Sequence, residues 1–177
     1  FSLQLTQTTE RSQLSVTADK NLQPDILASI KDHTLTLSTK KGIYLRPSQP
    51  IVITVSSPQL QAVHVRGRAK VKLLGIHTAN FLLDAHGVSQ AVLFGHTDAV
   101  NLTVFDDATV DASHLIAKHV LVSTKGASTA QVYAQKTLSA EVFDACKVTY
   151  SGNPEQINHR ISKGAKLQAA PEARTAS

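Results

Sequence analysis

The stretch Val63-His64-Val65-Arg66-Gly67-Arg68-Ala69-Lys70-Val71 decides the fold, because its pattern returns every 19 to 20 residues along the rest of the chain. Gly67, Gly87, Asp107, Gly126 and Gly164 mark the beat, and Ala145 stands one beat after Gly126. Around each mark small or aliphatic residues alternate with polar ones, as in Val63, Val65, Gly67, Ala69, Val71 and again in Leu102 and Val104 before Asp107. A strand-like unit of this length cannot bury its apolar face alone, so successive copies must stack and share one core. The pattern predicts an all-β chain whose main part is a short right-handed parallel β-helix, or β-solenoid. Five to six rungs fit between Leu60 and residue 168, and at ~4.8 Å per stacked strand they would stand roughly 25 Å tall. Each rung should be a flattened ring of two or three short strands with Gly, Asp and Asn at its corners. A β-sandwich is the alternative, since alternation alone does not separate stacked rungs from paired sheets.

Residues 1–58 do not follow the beat. Phe1 to Thr6 and Gln13 to Thr17 alternate at period two, Ile26 to Ile30 and Thr34 to Ser38 flank a Lys31-Asp32-His33 turn, and Ile51 to Val55 is a β-branched run before Pro58. These read as antiparallel strands and a hairpin, with Asn21 to Asp25 as a connection. Open ends of a solenoid recruit other chains through unpaired backbone groups, so this region is the natural cap of one end. A single domain is expected over 1–168, with 1–58 as cap and 59–168 as rungs, and a frayed tail over 169–177, which lacks an apolar pattern.

The chain has 177 residues, of which 18% are charged and 5% aromatic, a β-rich composition that can bury a real core in one domain. Its longest apolar runs, such as Ala91 to Gly95 and His119 to Val122, fall far short of the roughly 18 residues that cross a bilayer. No transmembrane segment is expected. The chain contains no Met and begins at Phe1, which suggests a removed signal peptide and an exported protein, periplasmic or at the cell surface. The single cysteine, Cys146, excludes an internal disulfide and multi-Cys zinc sites, and its place in an alternating strand marks it as a small buried hydrophobe. A net charge of +5 favours anionic partners.

The sharpest functional signal is Arg66, Arg68, Lys70 and Lys72. They share one parity, so on an extended strand they project to one face over roughly 20 Å, a match to a row of phosphates, sulfates or uronic carboxylates. A solvated charge row that discourages edge pairing explains the same residues. The next rung offers Asp84, His86 and Gln90 at the matching places, and aromatics for base stacking are absent, which argues against nucleic acid. His77, His96 and His114 recur at 19 and 18 residues and could stack at one corner. Without a carboxylate or thiolate at a fixed offset, a tolerated turn ladder outweighs a zinc or copper site, and no metal or cofactor is expected. Asp106 and Asp107 are paired carboxylates, yet strand neighbours point to opposite faces, whereas glycoside hydrolysis needs two carboxylates about 5 to 9.5 Å apart across a cleft. Corner residues accepting backbone hydrogen bonds explain them better. No nucleophile elbow, phosphate-binding loop, dinucleotide fingerprint or zincin motif occurs. Asn101-Leu102-Thr103 is a formal glycosylation sequon of little weight in a bacterial protein.

Several stretches together carry a resemblance: Ala130-Gln131-Val132-Tyr133-Ala134, Leu138-Ser139-Ala140, Val148-Thr149-Tyr150-Ser151-Gly152-Asn153-Pro154, Ile157, and Ser162-Lys163-Gly164-Ala165. With Val16-Thr17-Ala18-Asp19-Lys20-Asn21-Leu22, Leu35-Thr36-Leu37 and Ile51-Val52-Ile53, the chain resembles the bacterial head GIN domain family of autotransporter-adhesin type along nearly its whole length. Family members write each rung around Ser-Gly-Ser-Gly-Asp. Here those places read Arg66-Gly67-Arg68-Ala69-Lys70, His86-Gly87-Val88-Ser89-Gln90, Phe105-Asp106-Asp107-Ala108-Thr109 and Lys125-Gly126-Ala127-Ser128-Thr129. The resemblance implies an exported β-solenoid at the bacterial envelope with no catalytic residues. The function expected is a non-catalytic surface or envelope binding module, adhesin-like, with an anionic glycan, lipopolysaccharide or another envelope protein as partner. A self-associating structural spacer and a carbohydrate-active enzyme using the Asp106 region are the alternatives.

Overall fold

The computed structural model describes residues 2–7, 11, 13–17, 20, 25–32, 34–41, 52–58 and 60–171. Phe1, the connection at Asn21 to Pro24, His33 of the hairpin turn, Ile51 and the tail 172–177 lie outside the described residues. The strands are β1 (Ser2–Gln7), β2 (Gln13–Thr17), β3 (Ile26–Lys31), β4 (Thr34–Thr39), β5 (Val52–Ser57) and β6 (Ala62–Val65). Four long strands follow, β7 (Lys70–Ala85), β8 (Gln90–Asp106), β9 (Thr109–Gly126) and β10 (Thr129–Val142), and then β11 (Lys147–Ser151), β12 (Gln156–Ile161) and β13 (Lys166–Ala169). All belong to one sheet wound on itself, an all-β solenoid of about six turns of stacked parallel strands. The β-sandwich alternative is set aside by this parallel pairing, since β7 through β13 join only in parallel.

Burial explains why the long strands wrap instead of running straight. In β9 the buried residues are Val110 and Ala112, then Leu115 and Ala117, then Val120, Val122 and Thr124. Inward parity is even, then odd, then even, so the chain turns a corner twice while its ladder continues. Register shifts between Leu73 and Ile76, Val92 and Phe94, and Val132 and Tyr133 fall at the first of these corners. The expected two or three short strands per rung are thus fused into single strands of 14 to 18 residues. Inward side chains stack into columns: Val71, Ala91, Val110, Ala130 and Val148 on one side, and Val63, Leu83, Leu102, Val122 and Ala140 on another. All ten are at most 3% exposed. At ~25 cal/mol per Å² this shared column is the main source of stability, and no rung owns its core alone.

The third corner carries the beat. There the chain takes positive φ at Gly67 (84°), Gly87 (80°), Asp106 (63°), Gly126 (93°), Asp144 (57°) and Gly164 (95°). The expected marks at Asp107 and Ala145 therefore move one residue earlier, to Asp106 and Asp144. Both substitutes are the residue type that tolerates left-handed backbone, and both use the side chain as well. Asp106 Oδ2 accepts the Gly87 N–H at 3.0 Å, and Asp144 Oδ2 accepts the Gly126 N–H at 3.1 Å. Glycine is required between them for a separate reason: a Cβ at Gly126 would lie 2.8 Å from the Asp106 carbonyl oxygen. Cys146 is buried as expected, with Sγ 3.1 Å from Ser128 Oγ, which itself donates to the Val104 carbonyl at 2.8 Å.

At the N-terminal end the antiparallel pairs are β2 with β5 and β3 with β4, the latter closed by a turn at Asp32 with φ 49°. Strand β1 departs from the antiparallel reading. It inserts in parallel between β5 and β7, with Leu5 buried at the level of Val55 and Leu73, so the first strand of the chain belongs to the solenoid wall.

Candidate anion-binding face

The insertion of β1 builds the site. Outward positions of the first side lie in two rows across the rungs. One runs Val52, Lys70, Gln90, Thr109, Thr129, Lys147, Lys166, with Ser2 in register between Val52 and Lys70; the other runs Thr54, Gln4, Lys72, Val92, Asp111, Gln131, Thr149, Gln168. Amides and hydroxyls dominate, four lysines supply charge, and the one acid, Asp111, is occupied by Ser113, whose N–H it accepts at 3.0 Å. Near the N-terminal end the face dips into an open depression of about 510 Å³ lined by Gln4, Val52, Lys70, Lys72, Gln90, Val92 and Phe94. Lys72 Nζ stands 5.8 Å from the centre of the Phe94 ring, and the His114 ring lies 5.1 Å from it on the other side. The cation is thus held beside an apolar plate, an arrangement that suits a ligand with both anionic groups and an apolar ring or chain face.

The predicted row of four cations is corrected by this geometry. Strand β6 ends at Val65 and β7 begins at Lys70, with the left-handed Gly67 between. Arg66 and Arg68 therefore sit at the corner, and only Lys70 and Lys72 share an extended strand. All four are exposed. The structure adds Gln4, Gln90 and Phe94, which the sequence reading did not single out. One rung length carried from Lys70 reaches Gln90, and Phe94 lies two outward steps further on, so the repeat itself pointed there. Gln4 had no such signal, because its place follows from the parallel insertion of β1.

The histidine ladder is broken. His77 is level with His96, but His96 is level with Ile116 and His114 with Phe94, because the chain shifts register at the corner. No group of three or more metal-ligating side chains occurs among the described residues. A second histidine group lies by the third corner. Asp84 contacts His64 Nδ1 at 3.2 Å through Oδ2 and His86 Nε2 at 2.6 Å through Oδ1, the latter a close polar contact and not an in-line hydrogen bond. His86 packs edge-on against Phe105, and its Nδ1 is 4.0 Å from Asp106 Oδ2. Asp106 is therefore tied to the Gly87 N–H, as a corner residue should be.

A larger depression, about 660 Å³, lies elsewhere, on the outer face of the long side, where Asn80, Asn101, His119 and Thr137 meet exposed Leu121. Among the described residues its lining carries no Lys, Arg, Asp or Glu, which makes it a poor place for a charged ligand.

Stacked parallel rungs with a polar, lysine-bearing outer wall define the class: a parallel β-solenoid. The chain belongs to the family described as "Putative auto-transporter adhesin, head GIN domain", whose profile matches residues 1–154. No curated protein matches the chain. Among solved structures it is similar to a protein from Bacteroides fragilis described as a putative adhesin, at 21% identity over 96% of this chain and 88% of that one, with a TM-score of 0.74. It is also similar to a Parabacteroides distasonis protein described as a putative lipid binding protein, at 16% identity over 96% and 89%, with a TM-score of 0.53. A putative adhesin from Parabacteroides merdae gives 14% identity over 96% and 88%, with a TM-score of 0.52. At these identities the likeness is one of fold. No helix among the described residues is long and apolar enough to cross a membrane.

Proposed function

We propose that this domain is a non-catalytic binding module of the bacterial envelope, exported to the periplasm or cell surface, whose ligand is an anionic glycan or lipopolysaccharide. The observation that carries the reading is the depression in which Lys70 and Lys72 stand beside Gln4, Gln90 and Phe94. Lysines attract phosphate or carboxylate, the amides bind hydroxyls, and the Phe94 plate takes an apolar face of the ligand. Arg66 and Arg68 extend the positive field around the corner and steer the ligand without framing it. The adhesin family supports a binding role, and a fold relative described as lipid binding makes lipopolysaccharide a ligand to test first. Asp106, the best carboxylate for an enzyme, is engaged at its corner, which supports a role without turnover.

The test is binding of the purified domain to a panel of lipopolysaccharides and acidic and neutral glycans at low and moderate salt. Saturable, salt-sensitive binding of the acidic members is expected, lost in Lys70→Ala/Lys72→Ala and only weakened in Arg66→Ala/Arg68→Ala. Equal binding by the lysine variant, or preference for neutral glycans, overturns the reading.

A further inference from the structure

The C-terminal end of the solenoid is an unfinished rung. Two of the three inward positions of β12 continue the core columns with apolar side chains: Ile157 follows Phe81, Val100, Val120 and Leu138, and Ile161 follows Val65, Ala85, Val104, Thr124 and Val142, while His159 between them follows Ala140. Every earlier member is at most 4% exposed, whereas Ile157 and Ile161 are 39% and 38% exposed. Around them Tyr150, His159 and Leu167 line a hollow of about 260 Å³. Among the described residues β12 pairs only with β10 and β13 only with β11, so within them the far edge of each offers backbone donors and acceptors without a strand partner. A terminal repeat that faced water permanently would present a polar surface. Glu172 to Ser177 carry no alternation of apolar and polar residues.

The charge identifies the occupant. Residues 147–171 hold Lys147, Arg160, Lys163 and Lys166 against Glu155. By strand parity Arg160 and Lys166 project sideways, level with outward Glu141 and Lys147 of the rung before. They are placed to meet outward carboxylates of an added strand and not a surface lying across the end. A second copy is a poor match. Tail-to-tail contact opposes the same cations, and at the N-terminal end the described residues Arg11, Lys20, Lys31, Lys40 and Lys41 outnumber Asp25 and Asp32. We propose that this end accepts, by strand addition, an extended segment of a partner protein in which apolar residues alternate with Asp or Glu. Its apolar side chains complete the Ile157 and Ile161 columns, and its acids pair with Arg160 and Lys166.

The experiment titrates isotope-labelled domain with a short synthetic peptide alternating Val or Ile with Asp or Glu, and with a counterpart carrying Lys in place of the acids. The expected result is saturable binding of the acidic peptide, with amide shifts confined to residues 147–169. Affinity should fall at least tenfold in Ile157→Asp, and Arg160→Glu/Lys166→Glu should transfer preference to the Lys peptide. Both variants alter exposed side chains, and unchanged spectra over residues 70–142 verify their folding. Absence of acidic-peptide binding, equal binding of both peptides, or shifts mapping elsewhere overturns the proposal. So does concentration-dependent self-association in sedimentation, or sedimentation with anionic lipid vesicles, if Ile157→Asp abolishes it. Loss of glycan binding in Lys70→Ala/Lys72→Ala tests the other face and leaves this result untouched.

Discussion

Asp106 and Asp144 show how a solenoid corner alternates two solutions to one backbone demand. Glycine adopts the left-handed conformation without strain, while aspartate accepts some strain and offsets it by capping the N–H of the glycine one rung earlier. Asp106→Ala keeps the strain and loses the cap, so it should cost on the order of 1–2 kcal/mol in denaturant unfolding, and Asp106→Gly distinctly less. Two buried serines in the neighbouring column separate satisfied from unsatisfied hydroxyls. Ser128 donates to Val104 O, whereas Ser89 Oγ has no hydrogen-bond partner. Ser128→Ala should therefore destabilise by about 1 kcal/mol, while Ser89→Ala should fall within about 0.5 kcal/mol of the parent or exceed it; thermal or denaturant melts of the two variants decide. At this scale the sequence showed that a corner recurs but misplaced it by one residue at Asp107 and Ala145. Equal spacing from glycine to glycine hides that the left-handed residues stand 18 to 20 apart, and an aspartate at such a place looks like any surface acid.

Elements were legible where one local period governs them. The hairpin of β3 and β4 falls where Lys31-Asp32-His33 marks a turn, and the rungs from β7 onward fall on the beat. The parallel insertion of β1 was not legible, because alternation in Ser2–Gln7 fits either direction and the choice is made by partners some 50 to 70 residues away. That one strand brings Gln4 beside Lys72, so this member of the candidate site stayed hidden with it. The straight row of four cations was over-read for a related reason: parity holds only along an extended strand, and Gly67 interrupts it. The second corner carries an ion pair of its own, with Lys118 Nζ 2.6 Å from Asp98 Oδ1. Hydrogen bonding and charge from Lys118 hold the Asp98 carboxyl below its ordinary value, with smaller help from His119 and His77. A depressed carboxyl pKa stabilises the fold above the unfolded value and loses that contribution as pH falls through the folded one. In Lys118→Ala the Asp98 titration, followed by carboxyl NMR, should move up toward the ordinary carboxylate range; an unmoved titration contradicts the pairing.

For the whole molecule the repeat period was decisive, since strands of that length and alternation can bury their faces only by stacking. Stability is accordingly spread along columns, each rung covering the next. Leu102, fully buried in the central rungs, should cost about 2–5 kcal/mol when cut to Ala, whereas Ile157→Ala at the open end should cost less than about 1 kcal/mol in the isolated domain. A denaturant series over the two variants reads this gradient from core to edge. Function is less legible than fold because the period dictates how rungs stack but not which outward side chains bind, and the proposed face rests on outward residues of β1, β7 and β8.

The most direct measurement is an NMR titration of the labelled domain with an acidic oligosaccharide carrying uronate or phosphate groups. The account predicts saturable shifts centred on Gln4, Lys70, Lys72, Gln90 and Phe94 that vanish in Lys70→Ala/Lys72→Ala. Shifts centred on the Asn80, Asn101 and His119 depression, or no saturable shifts with any acidic glycan, would contradict it.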